Sequence, residues 1–352
     1  MKRLPQQKIT SASVDLSALA EIVEECSGKT IVFLGDFVAD EFQLGEISRV
    51  SREAPVLILR HRETRLLPGG GANAANNLAD LGANVLPITA VGDDANGNAL
   101  IEYFRNKKVD ISGIVRVKDW CTPTKTRFIA GWAHTVGQQV LRMDREPRTR
   151  LPEAAQKKLK RNLLASMKDA DALAISDYGF GAATPELALA ASSQFKDARP
   201  ITLDARYGVH AYACSGITSA TPNEAELEAQ HHTTIGENLE ELARSGQATL
   251  STMKLNALLV TRGRHGIALF ESGKSITHIP VHGSDQSVDV TGAGDTVLAA
   301  YTLALACGAA ALEAAHIANI AGGLVVMKRG TATVTRQELL AAIQREAAGA
   351  PA

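Results

Sequence analysis

The residues best arranged for chemistry in this chain lie in Asp289-Val-Thr-Gly-Ala-Gly-Asp-Thr296. A β-like stretch precedes the segment, and a long apolar helix, expected at Thr296–Ala306, follows it. The small residues Gly292, Ala293 and Gly294 allow consecutive backbone N–H groups to turn into one cavity at the start of that helix. Such a cavity holds a phosphoryl group and the charge that grows on it during transfer. Asp295 stands at its mouth, where a carboxylate can take the proton of an attacking hydroxyl. A Gly-rich turn with a helix-capping Asp has the same look, so the rest of the chain must decide.

The elements around this segment are those of an α/β protein. Val14–Cys26 has helical spacing of apolar residues and Gly28 after it as a stop. Thr30-Ile-Val-Phe-Leu-Gly-Asp36 reads as a buried strand ending in a polar pair at the carboxyl edge of a sheet, where ligands bind. Strands are expected at Val85–Val91, Ala172–Ser176, Pro200–Asp204, Ile217–Ala220, Ala257–Thr261 and Gly266–Glu271. Helices are expected at Ala72–Leu81, Gly97–Lys107, Pro152–Met167, Thr184–Gln194, Glu224–Ala229, Asn238–Leu250, Ala311–Met327 and Arg336–Ala348. Their alternation predicts a mostly parallel, doubly wound sheet with helices on both faces.

Two regions break the alternation. Phe42–Leu67 and Thr124–Asp144 mix β-rich runs with charged residues, as half-exposed strands do. Together they predict a small β-strand lid projecting from a single domain spanning 1–352. A small sheet with a solvated face is marginal alone, so pairing with a second copy, a homodimer through the lid, is expected.

Composition narrows the partners. The chain has 352 residues, 45% hydrophobic and 21% charged, which fits a globular protein; a net charge of −1 supplies no basic field for nucleic acid or a membrane surface. The expected ligand is therefore small. Cys26, Cys121, Cys214 and Cys307 form no C-x-x-C motif and are expected to be packing residues in a reducing cytoplasm. No secretory leader is read in Met1–Ser17, and Met1–Ser13 and Ala347–Ala352 read as loose tails. Val297–Cys307 is too short to span a bilayer.

The Asp289–Thr296 segment resembles the second signature of the PfkB/ribokinase family of carbohydrate kinases. Pro68-Gly-Gly-Gly-Ala-Asn-Ala-Ala-Asn76 is similar to the first, about two hundred residues upstream. Two such motifs in the right order, each at a strand–helix junction, are far more specific than one. The resemblance runs from roughly Lys29 to Val334. It implies a ribokinase-like sheet, a sugar site beneath the lid, ATP with Mg2+ over the carboxyl edge, and Asp295 as base.

Carried over residue by residue, the resemblance assigns Asp36 to the sugar hydroxyls, with Asp40 as a second candidate. Gly70, Gly71 and Asn73 look like the sugar-binding turn, while Asn76 and Asn77 read as helix residues. Asn223-Glu-Ala-Glu226 matches an N-x-x-E motif that organises magnesium mostly through water, with Glu226 as its acid; Thr221-Pro-Asn-Glu also reads as a helix start. Thr261 and Gly263 are implied phosphate contacts. Asn319 is implied against the adenine, and an interhelical hydrogen bond is the alternative.

Within the family, the nearest resemblance is to the kinases of D-glycero-β-D-manno-heptose 7-phosphate. Gly35–Asp40, Ile47–Val56, Gln138–Asp144, Ser176–Gly179 and Gly330–Val334 carry it. It implies transfer to the C1 hydroxyl on the way to ADP-heptose and the lipopolysaccharide core. The sugar phosphate then needs cations, which Arg49, Arg52, Lys125, Arg127 and Arg142 supply; edge strands also carry charge simply to stay soluble. Two family lysines are replaced, by Phe180 after Ser176-Asp-Tyr-Gly179 and within Asp204-Ala-Arg206, leaving Arg206 for the second. No length remains after Val334 for an adenylyl-transferring domain, so that step is expected on a separate protein.

Two alternatives stay open. One is another kinase of the family, acting on ribose, a fructose phosphate, a ketodeoxy sugar or a nucleoside. The other is a non-catalytic sugar- or nucleotide-binding regulator. An NAD-type oxidoreductase is disfavoured, because no G-x-G-x-x-G follows the first strand.

Overall fold

The computed structural model describes residues 9–10, 13–132, 137–195, 199–283 and 287–349. Among these, ten strands form the main sheet. From edge to edge they are Ile9–Thr10, Ile276–Ile279, Ile267–Glu271, Ala257–Thr261, Ser219–Ala220, Ile201–Ala205, Ala172–Asp177, Thr30–Gly35, Asn84–Gly92 and Ile114–Val117. All pairings are parallel except the two made by Ile267–Glu271.

Thr30–Gly35 shows why the sheet sits in the centre. Its side chains alternate between two cores: Ile31 and Phe33 enter the one, Val32 and Leu34 the other, and all four are fully buried. A strand covered on both faces must be apolar throughout. Sequence neighbours lie to either side of it, so strand order reverses here and opens a crevice at the carboxyl edge.

The helix Ala293–Ala306 is buried along nearly its whole length and packs against the helices Gly71–Asp80 and Ala311–Val325. Fully buried side chains such as Leu298 contribute about 1.5–3 kcal/mol each. This burial fixes the helix start, and the start carries the chemistry. The helix begins three residues earlier than the sequence reading placed it, because Gly292 turns the chain at φ 81°. Asp295 therefore belongs to its first turn.

The lid is a separate four-stranded sheet in the order Leu57–Gly70, Phe37–Val50, Thr124–Gly131, Gln138–Arg145. Its two long strands start at the crevice, so lid and main sheet share one root at Asp36–Gly71. The expected lid covers the same strands from slightly inside their ends; its residues 133–136 lie outside the described residues.

Two strands escaped the sequence reading, Ile114–Val117 and Ile276–Ile279, both too short for a clear alternation. Part of the expected amino-terminal tail is also ordered, with Ile9–Thr10 pairing alongside Ile276–Thr277. The rest of that tail, and 350–352 at the other end, fall outside the described residues. Among the described residues, no helix is long and apolar enough to cross a membrane.

Candidate active site

Asp295 is buried at the amino end of its helix, with both oxygens held. Asn73 Nδ2 donates to Oδ2 at 3.0 Å, and the Tyr178 hydroxyl donates to Oδ1 at 2.9 Å. Burial pushes this acid up to about 7, the two donors and Lys125 pulling the other way. An acid so placed changes protonation near neutrality, as a general base must. The first-turn amides of a helix have no intrahelical partner and carry the positive end of its dipole. Gly292, Gly294 and Asp295 line the cavity and their N–H groups make no backbone hydrogen bond among the described residues, whereas Ala293 N–H is turned back to Val290 O at 3.3 Å. Ala293 thus shapes the turn, and its amide is not one of the free donors expected from the sequence.

The turn tolerates no side chain at Gly292. A Cβ on Gly292 would lie 2.4 Å from Asn73 Nδ2, breaking the contact that aims Asn73 at Asp295. Asn73 is fully buried and is itself held by Asn77, whose Oδ1 accepts from Thr296 Oγ1 at 3.1 Å. Asn77, read as a plain helix residue, therefore belongs to the support of the site. Gly70 starts the helix Gly71–Asp80 at φ 51°, and a Cβ on Gly71 would meet Asp36 O at 2.6 Å.

Asp36 differs from the expectation. Its carboxylate accepts three backbone N–H bonds, from Tyr178 and Phe180 at 2.9 Å on Oδ2 and from Ala182 at 2.8 Å on Oδ1. Both oxygens hold the loop after Ala172–Asp177, and the residue is 2% exposed, so only one acceptor position, on Oδ1, is left uncommitted. Burial, helped by Asp177, lifts this acid to about 7 against the pull of the three amides. The sequence could not show this, because the acceptor and its donors are over 140 residues apart. Asp40 lies in the crevice at the root of the lid. Its Oδ1 takes Arg127 Nη1 at 2.6 Å and its Oδ2 takes Thr331 Oγ1 at 2.7 Å.

A cavity of about 520 Å³ adjoins Asp295 and is lined by Asp204, Arg206, Thr221, Asn223, Glu226 and Gly294 among others. Asn223 and Glu226 form a capping box: Glu226 N–H donates to Asn223 Oδ1 at 2.8 Å, and Asn223 N–H to Glu226 Oε2 at 2.9 Å. The helix-start reading of this motif is therefore correct, and Glu226 also lines the cavity. Asp204 was absent from the expected site. Burial, then Glu226, Asp295 and Asp177, raise it well above the usual carboxylate range, and among the described residues it accepts no hydrogen bond. Two neighbouring acids, both raised by burial and Asp204 further by Glu226, suit a bound cation. No three His, Cys, Asp or Glu side chains among the described residues could cage a metal, so the donor set fits magnesium that keeps most of its waters. The Thr221 hydroxyl is buried without a partner at the same wall.

Beyond Gly294 a narrower slot of about 240 Å³ runs between Thr261, Gly263, Val281, Val297 and Asn319. It is mainly apolar, as a base-binding slot is. Asn319 both lines it and donates Nδ2 to Pro280 O at 2.8 Å, so its packing role is real, and its Oδ1 and second N–H are left for a ligand.

The cations separate into three groups. Lys125 Nζ lies 5.1 Å from the Tyr178 ring centre beside Asp295; burial lowers its pKa although Asp40 and Asp295 oppose this. Arg206 lines the larger cavity. Arg142 is forked onto Asp144 at 2.7 and 2.6 Å. Arg49 and Arg52 are exposed at the lid tip, about 30 Å from Asp40 at ~3.3 Å per strand residue. They cannot reach their own crevice, which corrects the sequence assignment.

Comparison with known proteins agrees with this arrangement. A profile described as pfkB family carbohydrate kinase matches residues 30–338. A protein of Geobacter metallireducens named bifunctional protein HldE is 37% identical over 308 residues, 87% of this chain and 61% of that protein. Its namesake from Pelobacter propionicus is 34% identical over 331 residues, 94% of this chain and 66% of that one. The chain thus spans less than two thirds of the length of these relatives. Among solved structures, phosphofructokinase-2 from Escherichia coli in complex with substrates and products matches with a TM-score of 0.72 at 20% identity, over 90% of this chain and 98% of that one. Arabidopsis thaliana ribokinase complexed with ribose and ATP matches with 0.69 at 20%, over 90% and 99%. At such identity these two show the ribokinase-like fold.

Proposed function

The chain belongs to the pfkB family of carbohydrate kinases, and from that premise we propose that it transfers the γ-phosphoryl group of ATP to the C1 hydroxyl of D-glycero-β-D-manno-heptose 7-phosphate. The product, heptose 1,7-bisphosphate, belongs to ADP-heptose and lipopolysaccharide core synthesis in the cytoplasm. One observation carries the chemistry: a buried Asp295, held on both oxygens, stands in the first turn of a helix whose leading residues line a cavity. The subfamily segments, and identity of 34–37% to the HldE proteins over most of the chain, support the acceptor.

In this reading the sugar lies between Asp40 and Asp295, beneath the lid, with Asn73 and the Gly70–Gly71 turn against it. Asp295, ionised, accepts the C1 hydroxyl proton as the oxygen closes on phosphorus. The amides of Gly292 and Gly294 bear the charge growing on the transferring group. ATP occupies the cavity and slot, its phosphates toward Asn223, Thr261 and Gly263 and its base toward Asn319. Glu226 and Asp204 are the residues that would hold Mg2+, mostly through water, and the ion would supply charge neutralisation on the phosphates. Lys125 and Arg206, neither paired with an acid among the described residues, are the cations for the 7-phosphate.

A lid-mediated homodimer is part of the same proposal. The lid exposes Val50, Val56, Leu57, Leu141 and Met143, each more than two-fifths accessible. Apolar side chains on an uncovered sheet favour a second sheet of the same kind.

The decisive experiment is a coupled ADP-release assay with heptose 7-phosphate beside fructose 6-phosphate, fructose 1-phosphate and ribose. Preferred turnover of heptose 7-phosphate is expected. Higher kcat/KM with an unphosphorylated sugar would overturn the acceptor while leaving the kinase.

A further inference from the structure

The helix Ala293–Ala306 has a second end. Its C-cap is Cys307, and there, at the edge of the sheet away from the crevice, the Cys307 Sγ lies 3.5 Å from the Sγ of Cys26. Cys26 is the C-cap of the helix Leu16–Glu25, 281 positions away. We propose that Cys26 and Cys307 are a thiol pair that closes to a disulfide by exchange with an oxidised low-molecular-weight thiol, with Cys307 as attacking and Cys26 as resolving sulfur.

Geometry assigns the roles. Cys307 is half-buried and open to a small reagent, whereas Cys26 is only 4% exposed and reaches the outside through its partner. The hydrogen bond between the two sulfurs and nearby Lys29 draw the Cys307 thiol down; that bond and burial push Cys26 up. A disulfide needs sulfurs about 2.05 Å apart, so closure asks for a shift of roughly 1.5 Å shared by two side chains at helix ends. Cys26 Sγ is otherwise tied only to Ile22 O, at 3.4 Å. Neither cysteine touches the kinase site: Asp295 lies about 18 Å away at 1.5 Å per helical residue.

With oxidised glutathione the steps balance. The Cys307 thiolate attacks one glutathione sulfur, breaking its S–S bond, and a glutathione thiolate leaves and takes a proton. Cys26 then loses its proton to solvent and attacks the Cys307 sulfur, expelling the second glutathione. Two protein thiols are oxidised and one glutathione disulfide is reduced to two thiols. The new bond joins the ends of two helices that flank nearly the whole chain, which restricts the unfolded state.

The test incubates the purified chain with oxidised glutathione, quenches with acid, and maps peptides without reduction. Expected are a linked Cys26–Cys307 peptide, loss of two of the four thiols counted after unfolding, and a thermal midpoint raised by several degrees and restored by dithiothreitol. Cys26→Ser should stop at a stable glutathione adduct on Cys307, and Cys307→Ser should leave Cys26 unmodified. Four intact thiols, adducts confined to Cys121 and Cys214, or a lasting mixed disulfide on Cys307 in the parent chain would each overturn the pair.

Discussion

Tyr178 donates its hydroxyl to Asp295 Oδ1 at 2.9 Å, on the oxygen that Asn73 leaves open. Tyr178 is in turn placed by its own backbone N–H, which Asp36 accepts at 2.9 Å. A residue at the end of the first central strand thus sets the orientation of a base on a helix more than 250 residues later. Asp36 acts on the site through this chain of contacts, as a positioning residue.

Asp295→Asn should lower kcat by at least ~10²-fold while leaving ATP and sugar binding nearly unchanged, because only proton acceptance is lost. Steady-state turnover and calorimetric binding separate the two. The same variant should be more stable than its parent at high pH. An acid raised in the folded state to about 7 contributes stability below its unfolded value, and loses it as pH rises through the folded one. Removing the charge should add roughly 2–4 kcal/mol at pH 8 and little at pH 4, read from urea unfolding at both.

Turnover should rise with pH through a midpoint near 7, since the ionised Asp295 is the active form. The Tyr178 hydroxyl favours that form. Tyr178→Phe should therefore move the midpoint of the kcat/KM profile, which reports the free enzyme, to higher pH; a downward or absent shift would count against the contact.

Glu226→Gln isolates the metal role, because Gln also completes a capping box. Its thermal midpoint should stay close to that of the parent, while the Mg2+ concentration for half-maximal rate rises by about tenfold. Equal Mg2+ dependence in a folded variant would confine Glu226 to its capping role.

Lys125→Ala and Arg206→Ala should each raise KM for the sugar phosphate by roughly tenfold or more, as loss of a charge-assisted contact does. KM for ATP should change far less. A reversed pattern would assign these cations to the nucleotide.

Leu141→Glu combined with Met143→Glu puts two charges on the exposed lid. If the lid joins two copies, light scattering after gel filtration should show the parent as a dimer and the variant as a monomer. A monomeric parent would remove the interface.

The sequence by itself determined the ribokinase-like sheet, the lid, and the glycine turn with its acid. Each of these is written in local terms: apolar runs such as Ile31–Leu34, helical spacing, and small residues where backbones must turn. Only the tertiary structure decided how the polar groups were shared out. Asp36 and Asp40 look alike in sequence, yet the first is taken by three backbone amides and the second by the side chains of Arg127 and Thr331 at the root of the lid. Arg49 and Lys125 both look like phosphate ligands, and strand length alone carries Arg49 out of reach. Tyr178 and Asp204 stood in segments compared with the family pattern, but their roles, like the Cys26–Cys307 contact, had no local signal, because hydrogen bonds, repulsion and burial depend on atoms brought together from distant parts of the chain.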